Sequence, residues 1–350
     1  MRVAIVGGGL AGAALAWRLS GRAGSPAVEV FVTGRSARSD ATGLSGGMVR
    51  AYETGPDACR AATESLVELL GSAELRRWSE YREVGSVYLA GPGADPAAAL
   101  AAIGELLPGS AASATADQLA ARFPFLGLPP GTVGVVERRA GYVSPGRLRD
   151  ALLERVAALG GTVREDPVAG VTAAPAVRLA DGTTRPFDVV VVAAGVWSGP
   201  LLAAAGAATV TLRTKRIQYD LRSGCPVGLG AFVDETSGLY GRPAAGGRLL
   251  VGLPSDDWDL DPRALAPDPE LASRVTTAVR RRLGDGVGAA SIRTVAALDC
   301  YVDPPGFALR RAVPDAPLFS FTGGSGGAAK TALAASREAA RGLLHIASVP

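Results

Sequence analysis

The run Gly7-Gly8-Gly9-Leu10-Ala11-Gly12 constrains this chain more than any other feature. It fits the spacing G-x-G-x-x-G, and its setting gives that spacing meaning. Residues 2–6, Arg-Val-Ala-Ile-Val, are mostly apolar and read as a buried strand. Ala13 to Leu19 begins a helix, and Val28 to Val32 reads as the next strand. Strand, glycine turn, helix, strand is the order of a parallel βαβ unit. In such a unit Gly7 permits the tight turn, Gly9 lets backbone approach a pyrophosphate, and Gly12 lets helix and strand pack closely. Leu10 and Ala11 then present free amides and the positive end of the helix to the phosphates. The sequence predicts a dinucleotide-binding unit here.

One part of that fingerprint is missing. A carboxylate about 20 residues past the last glycine usually holds the ribose hydroxyls. Val32 or Thr33 stands in its place, and Glu29 points to the wrong face if the strand alternates. Thr33 or Arg35 is expected to compensate, or backbone contacts hold the adenosine.

At 350 residues the chain exceeds one ordinary core, so two domains are expected. Hydrophobic residues at 48% and charged residues at 20% exclude global disorder. A net charge of +3 with scattered arginines gives no case for nucleic acid, and Arg280-Arg281-Arg282 reads as a solvated helix face. Cys59, Cys225 and Cys300 lie far apart, which argues against zinc and a disulfide framework and suits a reducing cytoplasm. The single histidine, His345, leaves no Ser-His-Asp triad and no histidine metal site, so no metal is expected. Glycines interrupt the apolar N-terminus, unlike a signal peptide, and no stretch reaches about 18 apolar residues. No membrane span and no obligatory protein partner are expected.

Further along, Pro56 to Tyr81 is helical, Ser86 to Ala90 is a short strand, and an Ala/Pro-rich segment follows. Gly141 to Leu159 holds a helix with Pro145 in its first turn. Thr162 to Asp166 and Ala176 to Ala180 read as strands. Asp188 to Ala193 is a second buried strand, ending in Ala194-Gly195. From about Thr209 to Val302, stretches such as Arg216 to Leu221, Gly238 to Arg242 and Arg248 to Val251 alternate and predict an antiparallel sheet. Leu318 to Thr322 is again a buried strand, leading into Gly323-Gly324-Ser325-Gly326-Gly327 and a closing helix, Ala328 to Leu344. The expected fold is α/β. A Rossmann-type domain (1–85, 141–210 and 303–350) interleaves with a smaller antiparallel-sheet substrate domain (86–140 and 211–302).

The early glycine loop, the strand ending Val192-Ala193-Ala194-Gly195-Val196-Trp197, and the final strand, glycine loop and helix carry a resemblance. Together they resemble the amine-oxidising flavoproteins of the D-amino-acid oxidase superfamily, in particular the glycine oxidase and monomeric sarcosine oxidase branch. The resemblance is strongest at 2–19, 141–160, 188–202, 238–252 and 317–344. It implies FAD rather than a nicotinamide cofactor, with an amino-acid substrate held between the domains. It also implies hydride transfer from the carbon beside the amine to flavin N5, imine hydrolysis, and reoxidation by O₂ to hydrogen peroxide. The flavin carries the redox step, so a chain almost empty of histidine is compatible.

The resemblance assigns Gly7, Gly9, Leu10, Ala11 and Gly12 to the pyrophosphate, and Thr33 and Arg35 to the adenosine side. Gly46, Gly47 and Met48 would run along the flavin. Val168, Ala194, Gly195 and Trp197 would also touch the cofactor, as would Gly324, Ser325, Gly326 and Gly327, ending in Lys330. Arg50, in Arg50-Ala51-Tyr52, resembles the arginine that clamps the substrate carboxylate, with one residue fewer before the tyrosine. Its planar fork suits that task. Lys330 resembles a second carboxylate-binding cation, and a lysine in a first helical turn is electrostatically unfavourable unless it serves a function. Tyr240 matches a tyrosine near the substrate, with an ordinary strand tyrosine as the alternative. Tyr301 falls where glycine oxidases carry an arginine, which favours the Arg50/Lys330 arrangement.

Two departures bear on chemistry. Sarcosine oxidases link flavin through a C-x-Y cysteine, whereas Asp299-Cys300-Tyr301 places cysteine one position late, so noncovalent FAD is expected. Leu250 stands where those relatives carry an oxygen-activating lysine. A flavin or NAD(P) dehydrogenase not using O₂ therefore stays open, as does a nucleotide-binding subunit without chemistry.

Overall fold

In the computed structural model, which describes residues 1–21, 24–33, 40–207, 210–287 and 291–348, the strand Arg2–Val6 lies inside a six-stranded sheet. The order is Arg310–Arg311, Leu318–Ser320, Val189–Val192, Arg2–Val6, Ala27–Phe31, Thr162–Arg164. All neighbours are parallel except the Arg310–Arg311 edge. Alternation sorts the central strand between two cores. Val3 and Ile5 pack with the helices Leu10–Leu19, Pro145–Ala158 and Ala328–Ser348. Ala4 and Val6 pack with a three-stranded sheet, Val168–Thr172, Ala176–Leu179 and Thr184–Pro186. With both faces covered, Val189–Val192 is four valines in a row, all buried.

A second sheet has eight strands and is larger than the first, where the smaller one was expected. The region 211–303 contributes Ser291–Asp303, Thr211–Ser223, Arg248–Gly252, Tyr240–Ala244 and Ala231–Asp234. Ser86–Ala90, read as a strand from sequence, and Val133–Glu137 and Ala111–Thr115, from the segment that reads as Ala/Pro-rich, extend it. The parallel pairing of Ala231–Asp234 with Ser86–Ala90 joins the two contributions.

Pro56 to Tyr81 is not one helix. Ser72 ends Pro56–Gly71 and caps Ala73–Trp78, accepting from the Leu75 amide at 3.1 Å. Pro269–Leu283 covers the second sheet with Leu271, Val275 and Val279. The triple arginine on this helix is only partly a solvated face. Arg280 and Arg281 are exposed, whereas Arg282 is buried and pairs with Asp234 at 2.7 Å. The helical period turns every third or fourth residue inward, and here that residue is an arginine.

Candidate active site

The strand order reverses between Arg2–Val6 and Val189–Val192, and ligands of open α/β sheets bind at such a point. The turns leaving these strands touch. Gly7 has φ +118°, and a Cβ there would lie 2.4 Å from the Ala193 carbonyl oxygen. A Cβ on Gly12 would lie 1.9 Å from the Gly7 carbonyl oxygen. Gly9 differs: its φ is −69°, and an added Cβ would meet only Thr42 Oγ1, at 3.3 Å. The structure closes around Gly7 and Gly12 and leaves Gly9 facing open space. Gly9 has no side chain to cap the helix; the Leu10 amide, expected free, donates to Thr42 Oγ1 at 3.0 Å, and the Ala11 and Gly12 amides lie in the first turn, beyond reach of intrahelical carbonyls. This cradle fits a pyrophosphate.

Glu29 is committed elsewhere. It pairs with Arg2 at 3.1 Å, Arg164 at 2.7 Å and Arg185 at 3.1 Å. Burial raises its pKa, but these arginines outweigh burial and lower it. Thr33 is exposed just past the strand end, and Arg35 lies outside the described residues. Val168 begins its strand half-buried. Ala194 and Gly195 open a short turn to Trp197, which is exposed, with Arg263 over its ring at 5.5 Å.

The segment around Gly46 crosses between the sheets. Gly47 has φ +65°, and a Cβ there would sit 2.1 Å from the Val143 carbonyl oxygen. Met48 pairs with Tyr142. Arg242 donates to the Gly46 carbonyl and lies 4.1 Å over the Tyr142 ring, while burial lowers its pKa. Leu250, its strand partner, lies near Gly46.

The structure brings Arg50 and Lys330 together. Arg50 is 7% exposed, lies 4.8 Å over the Tyr88 ring, and donates to the Tyr52 carbonyl. Its Nη2 is 3.0 Å from Glu53 Oε1, and the Lys330 ammonium contacts that same oxygen. Burial and Arg50 push the Lys330 amine down to about 8, against the opposing charges of Glu53 and Glu137. Tyr52 packs against Tyr88 at 5.0 Å, and the Tyr88 hydroxyl donates to Glu235.

Tyr240 and Tyr301 belong to a second group, with Asp299. The Tyr240 hydroxyl donates to the Gln218 carbonyl at 2.9 Å. Tyr301 packs against Trp258 at 4.9 Å, with the Lys215 ammonium 4.6 Å from that indole. Burial pushes the Asp299 carboxyl up to about 7. The two groups flank the late glycine loop. A Cβ on Gly326 would meet Asp299 at 3.4 Å, and one on Gly327 would meet Lys330 Cε at 3.3 Å. Cys300 faces away from Tyr301 by strand alternation. Burial raises its thiol pKa, opposed by the Thr322 side chain and Gly323 backbone.

Glu53, Glu137, Arg242, Asp299 and Lys215 were not singled out from sequence. Two cues were available. Glu53 lies three residues after Arg50, and Lys215 and Lys330 are the chain's two lysines among 36 basic residues. Among the described residues no cluster could hold a metal ion, and no helix is long and apolar enough to cross a membrane.

The family described as FAD dependent oxidoreductase, DAO, matches residues 2–341, and the chain belongs to it. The protein is thus an FAD-dependent oxidoreductase with a Rossmann-type cofactor unit. No curated protein sequence matches it. Solved structures share the fold. L-proline dehydrogenase from P. horikoshii superposes with a TM-score of 0.80 at 18% identity, covering 98% of this chain and 93% of that one. Glycine oxidase from Geobacillus kaustophilus gives 0.76 at 20%, covering 96% and 92%. FAD-bound L-alpha-glycerophosphate oxidase from Mycoplasma pneumoniae gives 0.80 at 16%, covering 97% and 94%.

Proposed function

We propose that this flavoenzyme oxidises an amino acid or N-substituted glycine at the carbon beside its amine. The observation that carries this reading is the meeting of Arg50 and Lys330 on one carboxylate oxygen of Glu53. Two cations from distant parts of the chain form a seat for a carboxylate, and Glu53 holds it when no substrate is present. A substrate carboxylate competes for the seat. Two converging cations fix its orientation as well as its position, which aims one C–H bond. Tyr52 and Tyr88 wall the seat and restrict water.

FAD would supply the two-electron acceptor, and the Gly7–Gly12 turn, the Gly46–Met48 segment and the late glycine loop would hold it. We read the binding as noncovalent, since Cys300 stands one position late for a C-x-Y linkage and burial raises its thiol pKa. The imine product hydrolyses in water, and O₂ takes the electrons to give hydrogen peroxide. One observation favours a second reading, a dehydrogenase passing electrons to another acceptor: the apolar Leu250 lies near Gly46, where a lysine would assist oxygen.

Mixing the protein with glycine, sarcosine, proline and larger N-substituted glycines tests both. Bleaching without air, with colour and peroxide appearing on aeration, supports the oxidase. Bleaching that air does not reverse supports the dehydrogenase. No bleaching by any of these amines contradicts both.

A further inference from the structure

The Glu137 carboxylate is 2% exposed, yet it belongs to the second sheet and reaches the segment that carries Arg50. Its Oε2 accepts the Ala51 amide at 2.7 Å, and its Oε1 accepts the Tyr52 amide at 3.2 Å. Ser86, on the adjacent strand, donates its hydroxyl to Oε1 at 3.2 Å. An ion buried this deeply is costly unless its environment uses its charge. The two amides it holds are those directly after Arg50, so the carboxylate fixes the backbone from which the guanidinium projects.

We propose that Glu137 is a positioning residue of the carboxylate seat, aiming Arg50 through the Ala51 and Tyr52 amides. The inference rests on the reading of Arg50 and Lys330 as that seat. The same carboxylate is also one of the charges that act on Lys330. Arg50 opposes the ammonium, while Glu53 and Glu137 favour it. Burial pushes the Glu137 carboxyl up from its ordinary range, opposed by the Ala51 amide, Arg50, the Tyr52 amide and Ser86, which favour the carboxylate. Glu235 stands further out, behind Tyr88 and Tyr52. Glu53 will be drawn away from the cations when a substrate carboxylate competes for them. Glu137, tied to backbone, stays and is then the fixed counter-charge.

The scarcity of lysine makes a direct test possible. FAD-loaded protein labelled with ¹³C at lysine Cε has two such sites, Lys215 and Lys330, which Lys330→Arg assigns. The Lys330 signal should titrate near pH 8 in the parent. In Glu137→Gln it should titrate lower, because a negative neighbour is gone. Benzoate, bound in place of substrate and read from the flavin spectrum, should bind about 10- to 100-fold more weakly in this variant. Glu137→Asp keeps the charge but not the reach, so Lys330 should titrate as in the parent while benzoate binding still weakens. An unchanged Lys330 titration in Glu137→Gln overturns the electrostatic role. Unchanged benzoate affinity in either variant overturns the aiming role, and Glu137→Asp decides that point alone if the Gln variant does not fold. A parent that binds no benzoate contradicts the seat itself, while the Lys330 titration still reports on Glu137.

Discussion

The Lys330 ammonium touches the Glu53 carboxylate, although the two residues lie near opposite ends of the chain. Arg50 reaches the same oxygen, so the resting site holds its own carboxylate between two cations. This arrangement sets the first two expectations.

Glu53→Gln removes the internal competitor. Below the Lys330 titration, benzoate should bind about 2- to 20-fold more tightly to the FAD-loaded variant than to the parent. Spectral titration of the flavin measures this. Weaker binding in the variant would mean that Glu53 assists the ligand rather than competing with it.

Lys330 is held near 8, so it is charged below that pH and neutral above it. Carboxylate affinity should therefore fall as pH rises through about 8. Lys330→Arg keeps its charge throughout, so the fall should vanish in that variant. Benzoate dissociation constants measured from neutral to alkaline pH check both statements; a fall that persists in Lys330→Arg assigns it to another group.

The glycine loop separates cofactor binding from folding. Gly9→Ala meets only Thr42 in the protein, so the variant should fold with the melting temperature of the FAD-free parent but fail to hold FAD. Gly12→Ala drives a methyl into the Gly7 carbonyl and should lower the melting temperature as well. Flavin content and thermal unfolding of the two variants separate these outcomes. Full FAD retention in Gly9→Ala would move the pyrophosphate away from this turn.

Arg282→Ala leaves the buried Asp234 without its counter-ion, with only Thr236 and Ser237 still donating to it. Breaking a buried pair costs about 3–5 kcal/mol, and the two side chains are 4% and 0% exposed. Urea unfolding should show that loss while the flavin spectrum of the folded variant stays unchanged. A loss below about 1 kcal/mol would place Arg282 with solvated surface pairs.

Much of the cofactor unit was legible because its signals are local. The turn from Gly7 to Gly12, the all-valine strand and the late glycine loop each carry their conformation in adjacent residues. Arg50 and Lys330 were legible through resemblance, since each follows a glycine-rich segment. Glu137 was not. Its strand, Val-Gly-Val-Val-Glu, follows a Pro-Pro-Gly turn, and its partners lie 85 and 86 residues back along the chain. Cys300 lies within the long strand Ser291–Asp303, where neighbouring side chains point to opposite faces, a spacing that its local sequence Asp299-Cys300-Tyr301 does not reveal.

Anaerobic reduction of the FAD-loaded protein by paired amines that differ only in the carboxylate tests the seat most directly. Sarcosine or a longer N-substituted glycine should bleach the flavin, and the corresponding amide should do so far more slowly. Arg50→Met and Lys330→Met should keep FAD and lose about 30-fold to several thousand-fold in kcat/KM toward the acid. Equal bleaching by acid and amide, together with parent-like rates in both variants, would contradict the carboxylate seat.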